Sequence, residues 1–251
     1  MTAQLKEQRC VSLSQLSDLR LLREHAYIDG RWCSADNRQV IEVTNPFDGA
    51  FLGTVPNMGI AETRNAIAAA HAAFPAWAAL LPQDRAARLR RWFDLLIENK
   101  EDLALLMTLE QGKPISESRG EIDYAASFIE FFAEEAKRVN VENISSHLPG
   151  RNMSVKREPV GVTAAVTPWN FPCAMITRKA AAALAAGCTM IVRPATETPF
   201  SATALAELAE RAGIPAGVFN VVTGDPNPVV GELCGNPVVR ALSFTGSTEV
   251  G

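Results

Sequence analysis

Between residues 160 and 251, short apolar, β-branched runs alternate with helical stretches, and this alternation leaves few architectures open. Residues 160–166 form the first such run, followed by the Ala-rich stretch 174–186, which Gly187 ends. Residues 189–192 make a second strand, followed by a helix over 201–211 and a stop at Gly213. Residues 218–222 make a third, with a short helix near 229–234 behind it, and residues 238–244 a fourth. Strands apolar on both faces that alternate with helices predict βαβ units in a parallel sheet, hence an α/β fold. In such sheets ligands lie at the carboxyl ends of the strands, so the residues that follow each strand are the candidates for function.

The preceding chain has a different texture. Asp29-Gly30 between short apolar pieces predicts a hairpin, and Asn45-Pro46-Phe47-Asp48-Gly49 a second turn between residues 40–43 and 51–55. From about residue 61 to 138 the period is helical. Ile67, Ala70, Phe74 and Trp77 share one face, as do Ala86, Leu89, Phe93, Leu96 and Ile97, with arginines opposite. A helix over 103–109 runs into Gly112-Lys113-Pro114, and Ile122, Ala125, Ile129, Phe132 and Ala136 mark another. Glu130, Glu134, Glu135, Lys137 and Arg138 are expected on a solvated face. Residues 153–158 alternate apolar and charged like an exposed ribbon. The expected division is an N-terminal unit of strands and helices (1–139), a β-ribbon (140–159) and a βαβ sheet (160–251).

Composition narrows the class. With 251 residues, 47% hydrophobic and 21% charged, the chain is of globular type. A formal charge of −4 without a basic run argues against nucleic-acid or anionic-membrane partners. The most apolar stretch, 180–192, is too short to span a bilayer, and Met1-Thr2-Ala3-Gln4-Leu5-Lys6-Glu7 does not read as a secretory signal. Cys10, Cys33, Cys173, Cys188 and Cys234 are scattered without a C-x-x-C pair, so reduced thiols and a cytoplasmic location are expected. His25, His71 and His147 lie far apart, and no metal site is expected.

Four strand ends carry the candidate chemistry. After the first comes Thr167-Pro168-Trp169-Asn170-Phe171-Pro172, where Asn170 either donates its amide to a developing oxyanion or caps the next helix. After the second comes Arg193-Pro194-Ala195-Thr196-Glu197-Thr198-Pro199, where Arg193 either meets a ribose or phosphate or is a solvated loop residue. Thr223-Gly224-Asp225-Pro226 after the third is a tight turn that lets a flat ligand approach the backbone. Gly246-Ser247-Thr248-Glu249-Val250-Gly251 after the fourth is expected to open a helix whose free N–H groups suit a phosphate.

These motifs, in this order and spacing, resemble the aldehyde dehydrogenase family from about Tyr27 to Gly251, and within it the succinate-semialdehyde dehydrogenases. Supporting segments are Leu109-Glu110-Gln111-Gly112-Lys113-Pro114, Gly120-Glu121-Ile122-Asp123-Tyr124-Ala125-Ala126-Ser127-Phe128 and Met175-Ile176-Thr177-Arg178-Lys179-Ala180. The resemblance implies a Rossmann-like parallel sheet, truncated, with an N-terminal helical segment and an oligomerisation ribbon. It implies oxidation of a small aldehyde with NADP or NAD, in a homo-oligomer. Asn170 would stabilise the oxyanion formed when a cysteine attacks the aldehyde and with Trp169 line the nicotinamide side, and Thr167 would also bind the cofactor. Arg193, Pro194, Ala195 and Thr196 would hold the adenosine ribose, Gly224 the turn beside it, and Gly246 and Ser247 the pyrophosphate. Arg178 would pair with the distal carboxylate of succinate semialdehyde.

Two departures stand out. Arg193 replaces the usual Lys, and neutral Thr196 replaces a frequent Glu, which removes the repulsion a 2′-phosphate would feel and predicts that NADP is tolerated or preferred. The family's nucleophilic cysteine and general-base glutamate lie downstream of the Gly246-Ser247 segment, so the chain alone is expected to be inactive. Cys173, three residues after Asn170, matches a position that is not the nucleophile, and a buried thiol is expected there. The last strand is expected to expose an edge and apolar surface, favouring instability or self-association. The alternative is a module that binds a dinucleotide or a partner without catalysis.

Overall fold

The computed structural model describes residues 12–139, 141–249 and 251. Cys10 and the leader reading of residues 1–7 lie outside the described residues, as do Asn140 and Val250. In chain order the elements are β1 (Ala26–Ile28), β2 (Arg31–Cys33), β3 (Val40–Thr44), β4 (Phe51–Pro56), α1 (Ile60–Ala78), α2 (Pro82–Glu98), α3 (Lys100–Gln111) and α4 (Ile115–Glu135). They continue with β5 (Glu142–Ile144), β6 (Met153–Val155), β7 (Val162–Val166), α5 (Ala174–Ala185), β8 (Thr189–Arg193), α6 (Pro199–Arg211), β9 (Phe219–Val221), α7 (Pro226–Gly235) and β10 (Val239–Phe244).

The main sheet has the order β10-β7-β8-β9-β1-β2. β10, β7, β8 and β9 are parallel, as the alternation of strands and helices requires. The N-terminal hairpin adds two antiparallel strands to the β9 edge, so the sheet is mixed. Asp29 (φ 53°) and Gly30 (φ 70°) form the hairpin turn, whose two left-handed residues suit Asp-Gly. The Asp29 N–H also donates to the buried Asn220 Oδ1 (3.0 Å), which ties the turn to β9. β3 and β4 pair as expected around the Asn45–Gly49 turn, and β5 and β6 form a separate exposed ribbon.

The strand residues divide between the two faces by their alternation. Ala165, Met190, Val192, Phe219 and Val221 pack in the core formed with α2 to α6, while Val162, Ala164, Ile191 and Val222 pack in the core formed with α1 and α7. The chain proceeds from β7 through β8 to β9 and then returns to place β10 on the other side of β7. The strand order therefore reverses between β7 and β10, and a crevice at such a point is the usual ligand position in an open α/β sheet.

The helices differ from their expected faces in two ways. On α2 the buried face centres on Trp92, fully buried with its indole N–H on the Leu205 carbonyl (3.1 Å), while Ile97 is exposed. Trp92 also packs against Phe219, ring centroids 5.4 Å apart. The arginines do not all face water. Arg85 is buried and donates to the carbonyls of Ala185 (3.1 Å), the last residue of α5, and of Leu80 (2.5 Å), just beyond α1, where carbonyls lack helical partners. The residues after β10 also differ from expectation. Among the described residues no helix begins there, and Gly251 N–H to Ser247 O (3.1 Å) is a single turn.

Candidate functional site

The carboxyl ends of β7, β8, β9 and β10 lie side by side, held by bonds that extend the strand pairing. Thr167 N–H donates to Arg193 O (3.2 Å), and Thr245 N–H to Val166 O (3.1 Å). Arg193 ends β8 with its side chain buried rather than solvated. Its Nη2 donates to Thr196 Oγ1 (2.7 Å) and to the Gly224 carbonyl (2.9 Å), joining the loops after β8 and β9. Burial pushes the Arg193 pKa down, and Glu197 and Asp225 oppose that shift. Pro194 and Ala195 are buried beneath Thr196, which is half-buried.

Gly224 (φ 144°) is a glycine that packing also requires. A Cβ there would stand 2.9 Å from the Met58 nitrogen and closer still to its carbonyl oxygen. The entry to α1 thus packs directly on the turn after β9, with Met58 N–H donating to Thr223 O (3.2 Å).

The loop after β7 presents Trp169 and Asn170 at the surface, Trp169 at 53% exposure. Asn170 does not cap α5. The Glu121 carboxylate on α4 does so, its Oε1 accepting from Cys173 N–H (3.0 Å) and Ala174 N–H (3.3 Å). Glu121 Oε2 pairs with Lys113 Nζ (2.5 Å), which also donates to the Asn170 carbonyl (2.8 Å). Burial raises the Glu121 pKa, and the Lys113 charge and the backbone donors oppose this. The neighbouring helix is capped the same way, with both oxygens of buried Glu110 accepting from Phe200 and Ser201 N–H (2.7 Å each). Desolvation pushes Glu110 up to about 8.

Lys113, Glu121 and Glu110 were not singled out as site residues from sequence. For Glu121 the signal is position: it shares the apolar stripe of α4 with Ser118 and Ala125, all three buried. Cys173 is fully buried as expected, and burial with the nearby Glu121 raises its thiol pKa well above the ordinary value. A thiol held protonated is a poor nucleophile.

Arg178 stands apart from the strand-end loops, exposed on α5 with its guanidinium 5.4 Å from the Phe128 ring. It has no carboxylate partner among the described residues. With Lys179, Thr163, Met190, Ser243 and Thr245 it lines a cavity of about 430 Å³ between α5 and the sheet, where Lys179 Nζ meets Ser243 Oγ (2.7 Å). Gly246 and Ser247 lie exposed just beyond Thr245. Thr167 and Arg193 at the strand ends bury polar atoms, Oγ1 and Nε, without a partner among the described residues. Together with the cation at β8 and the reversal of strand order at β7, these features suit a polar, anionic dinucleotide.

Among the described residues no helix is long and apolar enough to cross a membrane. The chain is 63% identical over 237 residues to a glutarate-semialdehyde dehydrogenase of Pseudomonas aeruginosa, covering 94% of this chain and 49% of that protein. It is 61% identical, with the same coverage, to an NADP(+) succinate-semialdehyde dehydrogenase of Escherichia coli K12. The crystal structure of a succinate-semialdehyde dehydrogenase from Burkholderia pseudomallei superposes with a TM-score of 0.93 at 56% identity, covering 94% of this chain and 49% of that one. The chain therefore spans about half the length of the relatives it matches. A profile of the aldehyde dehydrogenase family matches residues 32–251, and with these strand-end loops and this sheet the chain belongs to that family.

Proposed function

We propose that this chain is the dinucleotide-binding half of a semialdehyde dehydrogenase that uses NADP or NAD, with NADP tolerated or preferred. The observation that carries the reading is the buried Arg193, bound to neutral Thr196 and to the Gly224 carbonyl at the end of β8. Its guanidinium supplies a fixed positive charge, and Thr196 places no negative charge beside a 2′-phosphate. When bound, the nicotinamide supplies the hydride acceptor for the oxidation of an aldehyde to its acid. Pro194 and Ala195 would support the ribose, with Gly224 closing the turn beside it. Thr167 and Trp169 would line the nicotinamide side, and the Asn170 amide would donate to the developing oxyanion. Gly246 and Ser247 would meet the pyrophosphate.

The unpaired Arg178 guanidinium at the cavity mouth suits the distal carboxylate of a four- or five-carbon semialdehyde, succinate semialdehyde foremost. The division into 1–139, 140–159 and 160–251 remains our assignment, with the exposed ribbon of β5 and β6 as the self-association element.

Titration of the chain with each dinucleotide tests the reading, and NADP is expected to bind at least as tightly as NAD. Much tighter NAD binding overturns the cofactor assignment, and binding of neither removes the function. The Cys173 thiol is fully buried and held protonated, a poor nucleophile, which favours a second reading for the isolated chain: binding without turnover. Reduction of NADP by the isolated chain on addition of succinate semialdehyde would exclude it.

A further inference from the structure

The loop that carries Trp169 and Asn170 is held from below by two side chains outside it. Lys113 follows Gly112, whose left-handed backbone (φ 87°) ends α3 and turns the chain toward α4. From there its ammonium reaches three features. It pairs with Glu121 at 2.5 Å, donates to the Asn170 carbonyl at 2.8 Å, and lies 4.4 Å over the Phe171 ring. Glu121 in turn holds the Cys173 and Ala174 N–H groups. Four of the five residues from 170 to 174 are therefore tied to one ion pair, whose side chains are 10% and 1% exposed. The pair is nearly buried, so loss of either partner strands the other charge out of water.

The Asn170 side chain makes no hydrogen bond among the described residues. Its orientation is set through its own backbone, and that backbone is fixed by Lys113. We propose that Lys113, acting with Glu121, is a positioning residue that holds the 170–174 backbone and so presents Trp169 and Asn170 to the nicotinamide end of the cofactor. The inference rests on the dinucleotide reading for its ligand and on the loop geometry for its mechanism.

Two ligands separate positioning from general support of the fold: NADP, and adenosine 2′,5′-bisphosphate, which lacks the nicotinamide half. In Lys113→Met, NADP affinity is expected to fall about tenfold while adenosine 2′,5′-bisphosphate binds within about twofold of the unsubstituted chain. Lys113→Arg, which keeps the charge and the donors, is expected to recover most of the loss. Equal weakening of both ligands, or no change in either, overturns the proposal.

If the unsubstituted chain binds neither ligand, the dinucleotide reading fails, and amide hydrogen exchange decides the positioning claim alone. Lys113→Met is then expected to speed exchange of the Cys173 and Ala174 amides more than tenfold, leaving Phe200 and Ser201, held by Glu110, unchanged. Uniform acceleration, or none, overturns it.

Discussion

Strands β8 and β10 run in the same direction on either side of β7, yet their surroundings are opposite. Every residue of β8 is buried, with α5 and α6 over one face and α1 over the other. β10 is half to fully exposed along its length, with Val239 and Leu242 packed toward α7 and Ala241 and Ser243 open over the cavity. The ladder geometry is shared, so the difference lies in the helices that cover each strand. In a parallel sheet, burial of both faces supplies most of the stability, and hydrogen bonding alone leaves a strand marginal. The pairing of β10 with β7 also carries a register shift between Val239 and Ala241, where the Arg240 side chain lies against Gly161.

Perturbing the covered side should produce the largest effect. Trp92→Ala is expected to lower unfolding free energy by about 4 kcal/mol in urea titration, because its indole fills the core between α2, α6 and β9. A loss under about 1 kcal/mol would mean that the covered half is far more plastic than its burial indicates. Glu110, which reaches beneath α6, sharpens the contrast through pH. Its folded pKa of about 8 exceeds the ordinary 4.5, so the folded chain keeps a proton that the unfolded chain has released. Stability should therefore fall as pH rises from about 4.5 to about 8 and level off outside that window. The expected fall is at least about 1.4 kcal/mol, the value of one pKa unit. Glu110→Gln should flatten the profile, and a fall that survives the substitution would assign it to another group.

At the strand-end rim the effects belong to binding. Thr196→Glu should weaken NADP about tenfold relative to NAD, since a carboxylate there would face the 2′-phosphate, and an unchanged ratio would remove Thr196 from the site. On the open face of β10, Ser243→Ala should change stability by no more than about 0.5 kcal/mol, as its only side-chain bond among the described residues is to Lys179 near solvent. A larger loss would show that the open face is load-sharing after all.

The same contrast separates what could be read from sequence from what could not. β8 announces itself, since Thr189-Met190-Ile191-Val192 is apolar on both faces, and Asp29-Gly30 fixes its hairpin from local backbone preference alone. Charged residues turned inward leave a fainter mark. Arg85 belongs to the arginines expected opposite the apolar face of α2, Glu110 and Glu121 lie in segments noted only for their family resemblance, and the partners of the three arrive from 100, 90 and 52 residues away. The stripe position of Glu121 marks it as inward-facing, but nothing local shows that its carboxylate meets two backbone N–H groups once the helices assemble. The candidate loops were legible because Pro and Gly punctuate them. The side chains that hold those loops, Lys113 above all, were not, because their bonds are tertiary.

The N-terminal hairpin has a consequence for the order of folding. It is synthesised early, but Tyr27 pairs with Val221 and the Asp29 amide binds an Asn220 carboxamide 191 residues further along. On the ribosome the hairpin must wait for most of this chain to emerge before it can dock. Closure across so long a separation is slow, which makes sealing of the β9 edge a late event, and until then that edge is open to the wrong neighbour.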